Sequence, residues 1–312
     1  MRKFCKRFLG FLFCFLIVFT AFLRFVPDRF ATSYQRAIVR QYDHYKSIKD
    51  EQKIVFIGYS TMCFGLDQEY MEELTGRKVA ILANQVSVGY PIFMEMSKAY
   101  VKPGDVVVVE VNDWPYWDVG IDMMLTGIGK RVDLYQYIPE ELRLEAAKRF
   151  PTVVKKNIEY FLNREGSMQG PYSLEAFDEN GNYTFYRDEC ILSDPYEGES
   201  EWTDYRDTEL DDDMIAEMAD YVSYMEQQGV TVYFTISPVC KDVITPESRD
   251  AKTMDARDEA YQKVLVAPLI SHTKDYVFER EYMWDAHPNT DGQKKRTELL
   301  YQDLLNATNG EL

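Results

Sequence analysis

Lys53-Ile54-Val55-Phe56-Ile57-Gly58-Tyr59-Ser60 is a short apolar run that ends on a hydroxyl. Its apolar residues are continuous rather than alternating, so the strand it predicts is covered on both faces. Working outward, Lys78–Leu82 predicts a second strand. Val106-Val107-Val108-Val109-Glu110-Val111 is a β-branched run of the kind found in the middle of a sheet. Between these runs Asp67–Leu74 reads as a capped helix, and Pro91–Tyr100 as a helix with proline in its first turn. Strand–helix–strand–helix–strand order implies a parallel sheet joined by crossover helices. The alternation resumes near the carboxyl end. There the pattern predicts a helix over Asp211–Gln228, a strand over Val230–Ile236, a helix over Asp255–Val266, a short strand at Tyr276–Phe278 and a last helix over Thr290–Leu305.

The front end has a different composition. Arg2, Lys3, Lys6 and Arg7 precede Phe8–Leu23, which carries no charge before Arg24. A basic flank followed by an apolar run is the pattern of an export signal or a membrane anchor. The run is apolar on all sides and no small-x-small cleavage pattern follows it, so an uncleaved transmembrane anchor is expected over residues 1–27. The basic end then stays cytoplasmic and the rest of the chain lies outside, at the cell membrane. Residues 28–50, rich in Tyr, Arg, Lys and Gln, read as a polar stem with His44 in solvent. Residues 51–312 form the α/β domain, interrupted by a mixed insertion over 114–208. In that insertion Pro139–Arg149 and Pro151–Arg164 read as two helices, the second beginning at Pro151, Tyr183–Tyr186 reads as a short strand, and 194–207 is acidic and turn-rich.

The formal net charge is -17, even with five basic side chains (Arg2, Lys3, Lys6, Arg7 and Arg24) in the front segment. Such a surface argues against nucleic acid as a partner, because phosphate binding needs clustered Lys and Arg. Cys63 reads as a small buried filler. Cys190 and Cys240 are available to pair in an oxidising exterior, which the sequence leaves open. No C-x-x-C or H-E-x-x-H motif occurs, so neither a metal nor a cofactor is expected.

Ligands of parallel α/β sheets gather at the carboxyl ends of the strands. Ser60 follows the first strand, Asn84 and Gly89 follow the second, and Asn112-Asp113 follow the third. Far along the chain lies Asp285-Ala286-His287-Pro288-Asn289; the other histidines are His44 and His272. A serine hydroxyl becomes a nucleophile if an imidazole takes its proton, and a carboxylate beside the imidazole orients it. The backbone N–H groups of Ser60 and Gly89 and the amide of Asn112 are the right chemical types to hold an oxyanion. Each feature also has an ordinary reading: Ser60 as a helix cap, Asn289 as the cap of the last helix, Asn112-Asp113 as a strand-end turn, Asp211-Asp212-Asp213 as a helix amino-terminal charge cluster, and Trp114, Tyr116 and Trp117 as packing.

Four blocks in order carry a resemblance: Gly58-Tyr59-Ser60, Asn84-Gln85-Val86-Ser87-Val88-Gly89, Val109-Glu110-Val111-Asn112-Asp113 and Asp285-Ala286-His287. In them the chain resembles the SGNH (GDSL-type) hydrolase superfamily, over roughly residues 53 to 306 apart from the insertion. The resemblance implies a flavodoxin-like three-layer sandwich around a central parallel sheet. It also implies acyl transfer through Ser60, with His287 as base and then acid, Asp285 orienting it, and Ser60, Gly89 and Asn112 forming the oxyanion hole. The chain departs from the family in having Tyr59 before the serine and Asp285 two residues, rather than three, before His287. Either the carboxylate reaches the imidazole by a different loop path, or the site runs as a Ser–His dyad. More narrowly, the chain is similar to membrane-anchored bacterial surface members that act on cell-wall polymers or exopolysaccharides beside a membrane O-acyltransferase. Those members imply an esterase or O-acyltransferase acting on a glycan hydroxyl. The competing expectation is a catalytically silent relative that binds a glycan or the acyltransferase through the same cleft.

Overall fold

The apolar run around Phe56 becomes the inner strand that the sequence predicts, in a computed structural model that describes residues 2–26, 28, 31–111, 120–163, 167–192, 203–206 and 210–312. In chain order the helices and strands are α1 (Arg2–Phe25), α2 (Ala37–Ser47), β1 (Lys53–Gly58), α3 (Ser60–Gly65), α4 (Gln68–Thr75), β2 (Lys78–Ala83), α5 (Tyr90–Ser97) and β3 (Val106–Val111). They continue with α6 (Ile121–Ile128), α7 (Glu140–Asn163), α8 (Asp212–Gln227), β4 (Thr231–Ile236), β5 (Val239–Cys240), α9 (Ala251–Val264), β6 (Val277–Phe278) and α10 (Thr290–Ala307).

Four strands form a parallel sheet in the order β2-β1-β3-β4, with Phe56 opposite Ile81 on one side and Val108 on the other. Successive side chains of a strand point to opposite faces, and here both faces are covered. Val55 and Ile57 join a core with Phe93 and Met96 of α5 and Met218 and Val222 of α8. Ile54 and Phe56 join one with Met62 of α3, Met71 of α4 and Leu300 of α10. The sheet is therefore flanked by helices on both sides. Beyond β4, Phe234 and Leu269 make a single parallel bridge. The Phe234 N–H donates to the Pro268 carbonyl at 2.8 Å and the Phe234 carbonyl accepts the Ile270 N–H at 2.9 Å, but Pro268 has no N–H with which to extend the pairing toward the start of β4. The short strand expected near 276–278 pairs with β5 in a separate two-stranded ribbon rather than in this sheet.

Helix ends follow the local chemistry. The Asp67 carboxylate caps α4 by accepting the Tyr70 N–H, and Gly76, at φ 67°, ends the same helix in the left-handed conformation that favours glycine. Asp211 caps α8, the role expected for that acidic cluster, and Asn289 caps α10.

Other expectations change as well. The described residues of 28–50 pack on the domain instead of forming a stem: α2 lies on it, with Tyr42 and Tyr45 in its core. Tyrosine buries an apolar ring while its hydroxyl finds a partner. Tyr42 Oη lies 3.0 Å from Tyr100 Oη and 2.8 Å from Tyr137 Oη, and Tyr45 donates to the Ser97 carbonyl. His44 is half-buried rather than solvated, its Nε2 lying 2.9 Å from the Val79 carbonyl. Pro151 does not divide two helices; α7 runs through it, giving up the one main-chain bond that proline cannot make, on an exposed turn. The insertion contributes to the core, since Ile121, Met124 and Leu125 of α6 are buried in the same hydrophobic cluster as Val55 and Phe93. Trp114, Tyr116 and Trp117 lie outside the described residues. Cys63 is buried as expected, and burial pushes its thiol up to about 12. Cys190 and Cys240 are free thiols, Cys190 packing against the small cluster that buries Cys240.

The described side chains of α1 are exposed, and Lys3–Phe22 within it is long and apolar enough to cross a membrane.

At the amino-terminal end of the sheet, the Lys53 ammonium and Asp105 carboxylate meet at 2.8 Å with no solvent exposure. Asp105 also accepts the N–H groups of Lys53 and Lys102. Breaking a buried pair leaves an uncompensated charge, so Asp105→Ala should lower unfolding stability by about 3–5 kcal/mol, read by urea denaturation.

Candidate active site

Ser60 is the first residue of α3, immediately beyond the carboxyl end of β1. Glycine at 58 permits the sharp turn, since a Cβ there would meet the Met62 Cβ at 2.5 Å and the Glu110 Cβ at 3.1 Å. Tyr59 is buried against Tyr90, the ring centroids 4.0 Å apart. Thr61 is clamped from below. Its hydroxyl donates to Glu110 Oε1 at 2.5 Å, its carbonyl accepts from Arg296, and Arg296 also pairs with Glu110 Oε2. The Glu110 and Arg296 side chains have no solvent exposure. Gly65 makes room for the guanidinium, which lies 2.9 Å from where its Cβ would sit.

The second half of the site is a tight turn before α10. The Trp284 N–H donates to the His287 carbonyl at 2.9 Å, and Met283 bridges Pro288. Within it, Asp285 Oδ1 accepts the His287 backbone N–H at 2.8 Å, the two-residue bond typical of aspartate in turns. The same oxygen lies 2.7 Å from His287 Nδ1. The fold therefore brings the carboxylate to the imidazole by a different path from the three-residue spacing. His287 Nε2 lies 2.9 Å from Ser60 Oγ, across 227 residues of sequence. An ionised Asp285 can only accept, so Nδ1 carries a hydrogen and Nε2 faces the serine hydroxyl as acceptor.

The imidazole is held on other sides too. The Phe64 ring meets it edge-on at 4.9 Å between centroids. Tyr172 Oη donates to Asp285 Oδ2 at 2.5 Å. Burial and the neighbouring carboxylate push the Tyr172 hydroxyl well up, so it stays a donor. Burial alone would raise Asp285, but its bonds and charge interaction with His287, and the Tyr172 hydroxyl, hold it below the ordinary carboxylate value.

Ser60, His287 and Asp285 thus converge. The three expected oxyanion donors stand differently. Ser60, at the start of a helix, has an N–H with no acceptor inside that helix. The Gly89 N–H is instead committed to the Val86 carbonyl at 3.0 Å, closing the turn that precedes α5. Glycine is needed there for φ 80° and ψ 156°, a backbone region essentially reserved for it. Asn112 lies outside the described residues. Asn84 is structural, its amide donating to the Tyr34 carbonyl and its oxygen accepting the Gln85 N–H. His272 is exposed, 3.5 Å from Asp258 and away from this cluster.

Sequence reading missed Tyr172, Glu110 and Arg296. Glu110 had a visible signal, a carboxylate inside a run that demands burial. Tyr172 had none, because it sits in the insertion. Compared with known proteins, the chain matches no family model and no curated relative.

Tyr172→Phe deletes a bond that favours ionised Asp285. A depressed carboxylate stabilises the fold above its ordinary range and stops doing so as the pH falls through the depressed value. The urea stability difference between wild type and Tyr172→Phe should therefore be roughly 1.5–3 kcal/mol at neutral pH and shrink in acid once Asp285 is protonated.

Proposed function

We propose that this chain is a membrane-anchored serine esterase or O-acyltransferase of the SGNH type, with its α/β domain outside the cell. The observation that carries the proposal is the relay Asp285 Oδ1–His287 Nδ1 at 2.7 Å and His287 Nε2–Ser60 Oγ at 2.9 Å. The sheet supports it: β2-β1-β3-β4 with a bridge at Leu269 follows the flavodoxin-like strand order, and Ser60 stands at a carboxyl end of that sheet.

In the proposed reaction Ser60 Oγ attacks an ester carbonyl while its proton passes to His287 Nε2. Asp285 stabilises the imidazolium, and the Ser60 N–H donates to the oxyanion. His287 then returns the proton to the departing alkoxide, leaving acyl-Ser60 and an alcohol. In the second half His287 deprotonates water or a hydroxyl of a cell-wall or exopolysaccharide glycan, whose oxygen attacks the acyl carbon; the acyl–Ser60 bond then breaks as His287 returns the proton to Ser60 Oγ, releasing an acid or a new ester. The acyl group most in keeping with the resemblance is acetyl. A membrane O-acyltransferase as donor partner follows from that resemblance alone, and neither metal nor cofactor is required.

The commitment of the Gly89 N–H favours the competing reading, a silent domain that binds glycan or acyltransferase, because it removes one expected donor. A serine-directed fluorophosphonate separates the two. It should label Ser60 in the wild type, fail on Ser60→Ala, and label His287→Ala about 10²–10⁴-fold more slowly. A wild type that neither takes up the probe nor turns over a simple acetyl ester would reject the enzyme.

A further inference from the structure

Away from Ser60, a cavity of about 780 Å³ lies where α6 and α7 meet the exit of α1. Its walls include Thr20 and Arg24 of α1, Leu125 of α6, and Ala146, Phe150 and Val153 of α7. Neither Ser60, His287 nor Asp285 lines it. Its size falls within the range of small-molecule sites, roughly 300–1,000 Å³.

The depth of this cavity decides what fills it. The 20 residues Lys3–Phe22, at about 1.5 Å each, match a hydrocarbon layer of about 30 Å. Thr20 is then in the last turn inside the hydrocarbon, and Arg24 lies one turn further, among headgroups. One wall therefore begins at acyl-chain depth and ends at phosphate depth. The rest of the lining is carbon-rich, with Val26, Val132, Ile138 and Val154. Nearby α7 leaves Leu144, Phe150 and Leu162 exposed to whatever adjoins it. Among the described residues that line the cavity, Arg24, Lys130 and Arg143 face one carboxylate, Asp28, which lies 4.0 Å from Lys130, so the net charge of this lining favours an anion.

The geometry points to a lipid site: one acyl chain of an anionic phospholipid from the outer leaflet enters between α1 and α6–α7, with its phosphate at Arg24 and Arg143. The inference rests on the reading of α1 as a membrane anchor. It is independent of Ser60 chemistry.

The test uses the full chain in phosphatidylcholine vesicles carrying a trace of phosphatidylglycerol with a photoreactive diazirine in its acyl tail, and peptide mapping of the cross-links. Wild type should be labelled both on α1 and on 125–154. Ala147 lines the cavity and is exposed, so Ala147→Trp fills the space without overpacking the core. Labelling of 125–154 should then fall about tenfold, equivalent to ~1.4 kcal/mol of affinity, with α1 labelling unchanged. Labelling of α1 without 125–154 in the wild type overturns the site and leaves the anchor standing. Equal labelling in Ala147→Trp also overturns it, reducing the effect to contact of α7 with the bilayer. Equal labelling of 125–154 by a choline-headed probe overturns the anionic preference. An unlabelled α1 removes the anchor and the site together.

Discussion

The Glu110–Arg296 pair is the interaction on which the arrangement of the site depends. It ties the middle of the sheet to α10, and Thr61 sits between the two, bonded to each. Ser60 opens α3 just beyond β1 and α10 begins just after the histidine, so one buried ion pair fixes both ends of the relay relative to each other. Removing two charges from water is expensive, and such pairs contribute little net stability compared with an apolar replacement. What the pair supplies here is position. An apolar contact between strand and helix permits sliding, whereas a carboxylate and a guanidinium that must both be satisfied permit one register.

The histidine turn achieves a similar economy with fewer residues. Asp285 uses a single oxygen for the backbone and the ring of His287. The bond that shapes the loop and the bond that orients the imidazole are thus made by the same atom. A shorter Asp–His spacing is workable for that reason, and Tyr172 takes the oxygen left over. Tyr172 also packs against Trp284 and Phe64, so the insertion forms part of the wall behind the carboxylate.

Much of the framework was legible because strands buried on both faces have a strong signature. Val106–Val111 and Ile54–Ile57 cannot be exposed at tolerable cost, and the helices between them carry ordinary capping residues. The serine and histidine were legible as chemical types at strand and helix ends. Long-range registers were not: nothing local in Arg296 announces Glu110, which lies 186 residues away. The misread stem has a related cause. Tyr42, Tyr45 and Gln41 look polar when counted, yet each is buried, because amphipathic side chains are sorted by atom rather than by residue. Gly89 illustrates a second cause, since a glycine needed for its backbone angles looks the same in sequence as one needed as a donor.

The close packing of the described residues that follow α1 has a consequence for reach. Val26, one residue past α1, is already buried, and Lys130 grips its carbonyl. With α1 spanning a bilayer as proposed, the globule is perched directly on the lipid, without the slack of a tether, and can neither swing outward nor wander laterally away from its own footing. Ser60 would keep a nearly constant altitude, and any substrate would have to be brought down to it.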